Sequence, residues 1–145
     1  MPDYDKLLEK ALAIALDAHR GQRDDYGAPY ILHPLRVMEA VRTPAEKIVA
    51  ILHDVVEDTD YTFTDLLKRG FPNEIIKALD CLTKRKGERY DVFVARSASN
   101  PIARQVKFAD LEDNMRLLRM KRLRKKSIAR LEKYMKAWKT LARGC

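Results

Sequence analysis

The run Ile48-Val49-Ala50-Ile51-Leu52 is apolar on every side, and the six residues after it, His53-Asp54-Val55-Val56-Glu57-Asp58, hold four ionisable side chains. An apolar helix that ends in such a cluster has to be central, with the rest of the chain built around it. His53 and Glu57 are four residues apart, as are Asp54 and Asp58, and Asp54 and Glu57 are three apart. On one continuous helix those spacings make the side chains neighbours. No Lys or Arg occurs between Ile48 and Asp60 to compensate the acids. Carboxylates crowded beside a histidine repel one another unless a cation arrives, and a bound metal is the simplest such cation. A solvated acidic helix end, with His53 as its start, is the other reading of this segment.

The pattern around that stretch is helical throughout. Asp5–Arg20 carries Leu8, Leu12, Ala15, Leu16 and His19 on one stripe and stops at Gly21. Gln22–Tyr30 is polar, contains Gly27 and Pro29, and reads as a loop. His33-Pro34 opens a helix to about Arg42, and Thr43-Pro44 caps and starts the central helix, which is expected to run to Asp58. Thr62 or Thr64 caps a short helix closed by Gly70, and Pro72–Leu82 forms another. After the basic loop Lys84–Gly87 come helices over Glu88–Ala98, from Asn100-Pro101 through Leu118, and from about Lys125 to Ala142. No segment sustains a period of two. The expected fold is all-α, a single domain over residues 1–145 built as a bundle of seven or eight helices.

Two cysteines, Cys81 and Cys145, give no disulfide framework, and Cys81 reads as a buried thiol. The start of the chain lacks the basic and apolar regions of a secretory signal, and no apolar run is long enough to span a bilayer. A cytoplasmic protein is expected. The net charge is +8, yet Arg116–Arg143 holds twelve Lys or Arg against one acid, Glu132, so the rest of the chain is slightly acidic. That basic segment reads as a solvated face or as a means of steering polyanions; no nucleic-acid-binding motif accompanies it. Ile128, Leu131, Tyr134, Met135, Trp138 and Leu141 form the other face of the last helix, expected to pack on the core.

Further ligands for a metal beside His53 and Asp54 are available in His33 and in Asp110, with Asn114 one turn beyond Asp110 on the same helix face. Two imidazoles and two carboxylates make a mixed nitrogen and oxygen set. Such a set suits Mn²⁺, Fe²⁺ or Zn²⁺ better than Ca²⁺ or Mg²⁺. Read from the residues alone, His33 is equally a first-turn residue, and Asp110 a buried carboxylate paired with Lys107 or Arg104.

Ala18-His19-Arg20-Gly21-Gln22 and Pro29-Tyr30-Ile31-Leu32-His33-Pro34-Leu35-Arg36-Val37 resemble the opening of the HD-domain hydrolases of bacterial alarmones, the hydrolase part of RelA/SpoT proteins and the small free-standing alarmone hydrolases. Leu52–Thr59 is similar to that family's central motif, Leu82-Thr83-Lys84 to its next landmark, and Val106–Asp110 with Asn114-Met115-Arg116 to its last. Lys133-Tyr134 is a fainter echo beyond them. The resemblance implies an HD-type bundle in which His33, His53, Asp54 and Asp110 bind one Mn²⁺-like ion. It implies that Glu57 and Asp58 handle the attacking water and the proton transfers. It also implies that Asn114, Thr83, Lys84, Arg23 and Tyr30 lie on the substrate side. The reaction implied is hydrolysis of the 3′-diphosphate of (p)ppGpp to GDP or GTP and pyrophosphate. The small size is similar to that of a stand-alone hydrolase.

The resemblance departs in one place. Where the family commonly has an Arg-Lys pair, this chain has Asp24 and Asp25, with Arg23 one place early. Two acids there would repel a polyphosphate and remove a cation for stacking on a base; alternatively both point to solvent. An adenine alarmone, or an HD phosphohydrolase activity on another nucleotide such as the 2′-phosphate of NADPH, fits that departure. From a different class comes a non-catalytic nucleotide- or RNA-binding module. It would have no need of His33, His53, Asp54, Glu57, Asp58 and Asp110 together.

Overall fold

The computed structural model describes residues 1–143, so Cys145 lies outside the described residues. Among these the regular secondary structure is helical: α1 Tyr4–Ala18, α2 Leu32–Ala40, α3 Pro44–Leu52, α4 Val55–Asp58, α5 Phe63–Lys68, α6 Asn73–Leu82, α7 Tyr90–Ala98, α8 Pro101–Asn114 and α9 Lys125–Arg143, with a 3-10 turn at Leu117–Arg119. Counting the single turn of α4 with α3 gives eight helices, as expected of the all-α bundle. No described helix is long and apolar enough to cross a membrane.

α3 is the axis of the bundle. Ile48, Val49, Ala50, Ile51 and Leu52 are fully buried, and the helix packs against α1, α2, α6 and α8 at once. Each large side chain enclosed this way is worth about 1.5–3 kcal/mol. Thr43 caps the helix in a reciprocal box with Glu46, fixing where its first turn starts. A smaller cluster of Val94, Leu111, Ala137 and Leu141 joins α7, α8 and α9. Loop ends are set locally: Thr62 and Asp65 box the start of α5, and Asn100 accepts the amides of Ile102 and Ala103 at the start of α8.

Several expectations need correction. The central helix does not run unbroken to Asp58. It stops at Leu52, His53 and Asp54 form a turn, and α4 follows. His53 turns its imidazole Nδ1 onto the Ala50 carbonyl at 2.6 Å, so a side chain takes a carbonyl that a continuing helix would use. α8 ends at Asn114 rather than Leu118, because Met115 and Arg116 bond back to carbonyls of the last turn. On α1 the buried face is Leu7, Ala11, Ile14 and Ala15, with Leu16 exposed. The small Ala11 and Ala15 let α1 sit closely on α3. On α9, Ile128 and Met135 are exposed, since only the C-terminal half of that helix reaches the core. Cys81 is half-buried rather than enclosed.

Candidate metal centre

The break after α3 is what builds the site. It swings His53 and Asp54 toward the start of α2, which supplies His33, and toward the middle of α8, which supplies Asp110. His33 Nε2 lies 2.9 Å from Asp110 Oδ1 and 3.7 Å from Asp54 Oδ2. His53 Nε2 lies 3.1 Å from Asp54 Oδ2 and 3.4 Å from Asp110 Oδ1. Ligand atoms of His33, His53 and Asp54 all fall within 4.8 Å of one another. Three donor atoms thus gather in one place, and Asp110, 77 positions from His33, sets a carboxylate oxygen against both imidazoles.

Their outer faces are held by the protein. His33 Nδ1 meets Asp113 Oδ2 at 2.6 Å, and His53 Nδ1 meets the Ala50 carbonyl, so each Nδ1 is the donor and each Nε2 is turned inward. Asp110 Oδ2 accepts from Lys107 Nζ at 3.0 Å and its Oδ1 from Asn114 Nδ2 at 3.1 Å. Tyr30 donates its hydroxyl to Asp54 Oδ2. His53 Nε2 is buried and makes no hydrogen bond, its carboxylate neighbours lying off the required directions.

The electrostatics fit a cation. Burial alone would push both imidazoles down, but Asp110 and Asp113 outweigh it at His33, raising it to about 8, and Asp54 and Asp110 do the same at His53. Burial would push the carboxyls up, yet His53 brings Asp54 down to about 2, and Lys107 with the two histidines holds Asp110 well below the carboxylate range. A field that draws protons onto inward nitrogens also draws a divalent ion. With an orphaned Nε2 and a set of two imidazoles and two carboxylates, the residues present fit one.

The cluster opens into a cavity of about 670 Å³. Of the expected residues, Tyr30, His33, Asp54, Glu57, Asp110, Asn114, Arg23 and Lys84 line it. Glu57 accepts the Lys84 amide at 3.2 Å, and its carboxyl is raised by desolvation against the surrounding protein and by Asp54 and Asp58. Asp58 is also raised, first by burial and then by Asp54, but it lies off the cavity wall near His19 and Tyr30. Thr83 is not brought to the cavity. Its hydroxyl bonds the Leu79 carbonyl, and its own carbonyl accepts from Arg96.

Asp24 and Asp25 line the cavity, and neither is a free acid. Asp24 accepts the amides of Tyr26 and Ala28 and pairs with Arg119 at 3.1 Å. Asp25 pairs with Arg130. The loop acids are therefore neutralised by arginines from the basic C-terminal segment. Sequence reasoning did not assign Asp113, Tyr90, Phe93, Arg119 or Arg130 to the site. For Asp113 a signal existed, since it is one helical turn from Asp110. For Arg119 and Arg130, some 95 and 105 residues from their partners, spacing offers none.

The fold and the site define an HD-type helical domain with a two-histidine, two-aspartate centre. No protein-family model matches the chain. It is 35% identical over 137 residues to a GTP pyrophosphokinase of Streptomyces coelicolor, a match covering 85% of this chain and 16% of that protein. It is 30% identical over 129 residues to the guanosine-3′,5′-bis(diphosphate) 3′-pyrophosphohydrolase of Aquifex aeolicus (81% and 18%) and 32% identical over 130 residues to the bifunctional (p)ppGpp synthase/hydrolase SpoT of Escherichia coli (80% and 18%). The chain thus spans less than a fifth of the length of these relatives. A solved structure described as a metazoan ortholog of SpoT that hydrolyses ppGpp superimposes with a TM-score of 0.77 at 24% identity, covering 97% of this chain and 87% of that one. The chain is thus similar, over most of its own length, to one segment of these pyrophosphokinase and pyrophosphohydrolase proteins, and it has the fold of the metazoan SpoT ortholog.

Proposed function

We propose that this chain hydrolyses the 3′-diphosphate ester of (p)ppGpp or a close nucleotide analogue, releasing pyrophosphate, with Mn²⁺ as its ion and the cytoplasm as its compartment. The observation that carries this reading is the convergence of His33, Asp54 and Asp110 on the wall of a cavity that also holds Glu57 and several cations, with the buried His53 directly behind Asp54 and Asp110. In the reading, those four residues hold one ion. Bound there, it supplies Lewis acidity, lowering the pKa of a water and neutralising charge on a phosphoryl oxygen.

The chain's own residues do the rest. Glu57, its carboxyl raised above the ordinary glutamate value, is suited to take a proton from the attacking water and to return it. Asp58, also raised and close to Tyr30, is suited to orient Tyr30 and relay a proton outward. Asn114 holds Asp110 through one amide hydrogen and keeps its carbonyl for a nucleotide hydroxyl. Lys84, Arg23 and Lys133 line the cavity without a carboxylate partner among the described residues, which suits a polyphosphate. Because Arg119 and Arg130 neutralise Asp24 and Asp25, the loop acids do not turn such a substrate away.

The test is turnover with Mn²⁺ on ppGpp, on its adenosine counterpart and on NADPH, separating pyrophosphate from phosphate. Pyrophosphate from ppGpp is expected, and Asp54→Ala should abolish it. Turnover surviving Asp54→Ala overturns the site. Phosphate from NADPH alone replaces the substrate, and inactivity on the whole panel leaves a binding module.

A further inference from the structure

Arg119 joins the carboxylate that holds His33 to the turn of the loop 22–30. Its Nη1 donates to the Asp113 carboxylate at 2.9 Å and to the Asp113 carbonyl at 3.1 Å. Its Nη2 donates to Asp24 Oδ2 at 3.1 Å, and its guanidinium lies over the Tyr26 ring. On one side, Asp113 Oδ2 also receives His33 Nδ1 and Arg36, so this carboxylate fixes the direction of a metal-facing imidazole. On the other, Asp24 gathers the Tyr26 and Ala28 amides and so sets the turn of the loop 22–30. That loop ends at Tyr30, whose hydroxyl reaches Asp54.

We propose that Arg119 is a positioning residue that couples the loop 22–30 to the metal-binding His33 through Asp113, so that the order of the cavity rim and the affinity for the ion are set together. The proposal rests on the reading of His33 as a metal ligand. A planar fork is needed for it. One guanidinium spans Asp113 and Asp24 with separate nitrogens, which a single ammonium cannot do. The whole network is sheltered, with the Arg119 side chain 19% exposed, Asp24 11% and Asp113 5%, so its ion pairs are little screened by solvent. Asp25 and Arg130 are a weaker, more exposed clasp beside it.

Two measurements test the coupling. In the first, Mn²⁺ binding is read from the spectrum of the free aqueous ion for the wild type, Arg119→Lys, Asp24→Asn and the double variant. Outer partners of a ligand histidine govern affinity by about 10–100-fold, so Arg119→Lys should weaken binding by about tenfold. Asp24→Asn, which touches neither His33 nor Asp113, should still weaken it by about threefold, and the double variant should bind no worse than Arg119→Lys. Unchanged affinity in Asp24→Asn, or effects that multiply, overturns the proposal. The second measurement needs no metal. Amide exchange at Tyr26 and Ala28 should quicken in Asp113→Asn, because the loss is transmitted through Arg119, and unaltered protection there overturns the coupling. If the wild type itself binds no Mn²⁺, the reading of the site fails, while the exchange result still decides whether Arg119 joins Asp113 to the loop.

Discussion

Glu57 and Asp54 are both carboxylates of the same turn region, yet their surroundings drive them apart. Asp54 sits against His53 and is lowered to about 2, whereas Glu57 is exposed on the cavity wall beside Asp54 and Asp58 and is raised. In the proposed reaction, groups separated in this way divide the work, one staying charged to hold a cation and the other taking up protons more readily than an ordinary glutamate. As a base Glu57 acts deprotonated, so activity should be lost as pH falls through its raised pKa, at a higher pH than an ordinary glutamate would give. A cation bound at Asp54 offsets part of that rise. Glu57→Gln should lower kcat by about 10²–10⁴-fold and abolish the acidic limb of the kcat profile. A residual rate that keeps the same limb would assign the base to another group, with Asp58 the first to test.

At the scale of elements, α3 carries both the fold and the candidate site, because its buried length ends where the proposed ligands begin. Ile51→Ala should cost about 2–5 kcal/mol in denaturant unfolding, since the fully enclosed side chain leaves a cavity between helices that cannot all close on it. A loss below about 1 kcal/mol would mean that α1, α2, α6 and α8 relax onto the smaller residue. The apolar run Ile48–Leu52, the cap at Thr43 and the start of α8 at Asn100-Pro101 are legible in sequence, because they follow from local spacing and capping chemistry. The break at His53-Asp54 is not. Nothing in that segment is Gly or Pro, and the turn follows from an imidazole bonding a carbonyl, a choice made by the partners His33 and Asp110 across the bundle. The same limit hides the pairing of Asp24 and Asp25 with Arg119 and Arg130. The two acids look unmatched along the chain because their counter-charges arrive about 100 residues later. His53 and Asp54 stand out in the local acidic cluster, but it is the ordered motifs that join His33 and Asp110 to them, since no two of the three segments bearing the four residues are adjacent in sequence.

For the whole molecule, the question is what the C-terminal charge does beyond Arg119 and Arg130. Lys121, Arg122, Arg124, Lys125 and Lys126 are exposed, and none is in an ion pair among the described residues, nor do they line the cavity. They follow directly on Arg119 and Met120, which do line it, so the positive field lies at the rim of a site read as taking a polyanion. Exposed charge of this kind contributes little to stability but raises encounter rates, and it does so only within a screening length of about 8 Å at physiological salt. Reversing Arg122, Arg124 and Lys125 to Glu together should therefore lower kcat/KM for the polyphosphate by about tenfold or more at low ionic strength. It should leave kcat and the unfolding midpoint nearly unchanged, and the difference from wild type should shrink as salt is added. A salt-independent loss, or one carried by kcat, would assign these residues to direct contact with bound substrate. No change at low salt would make the segment a solvated face that the reaction does not use.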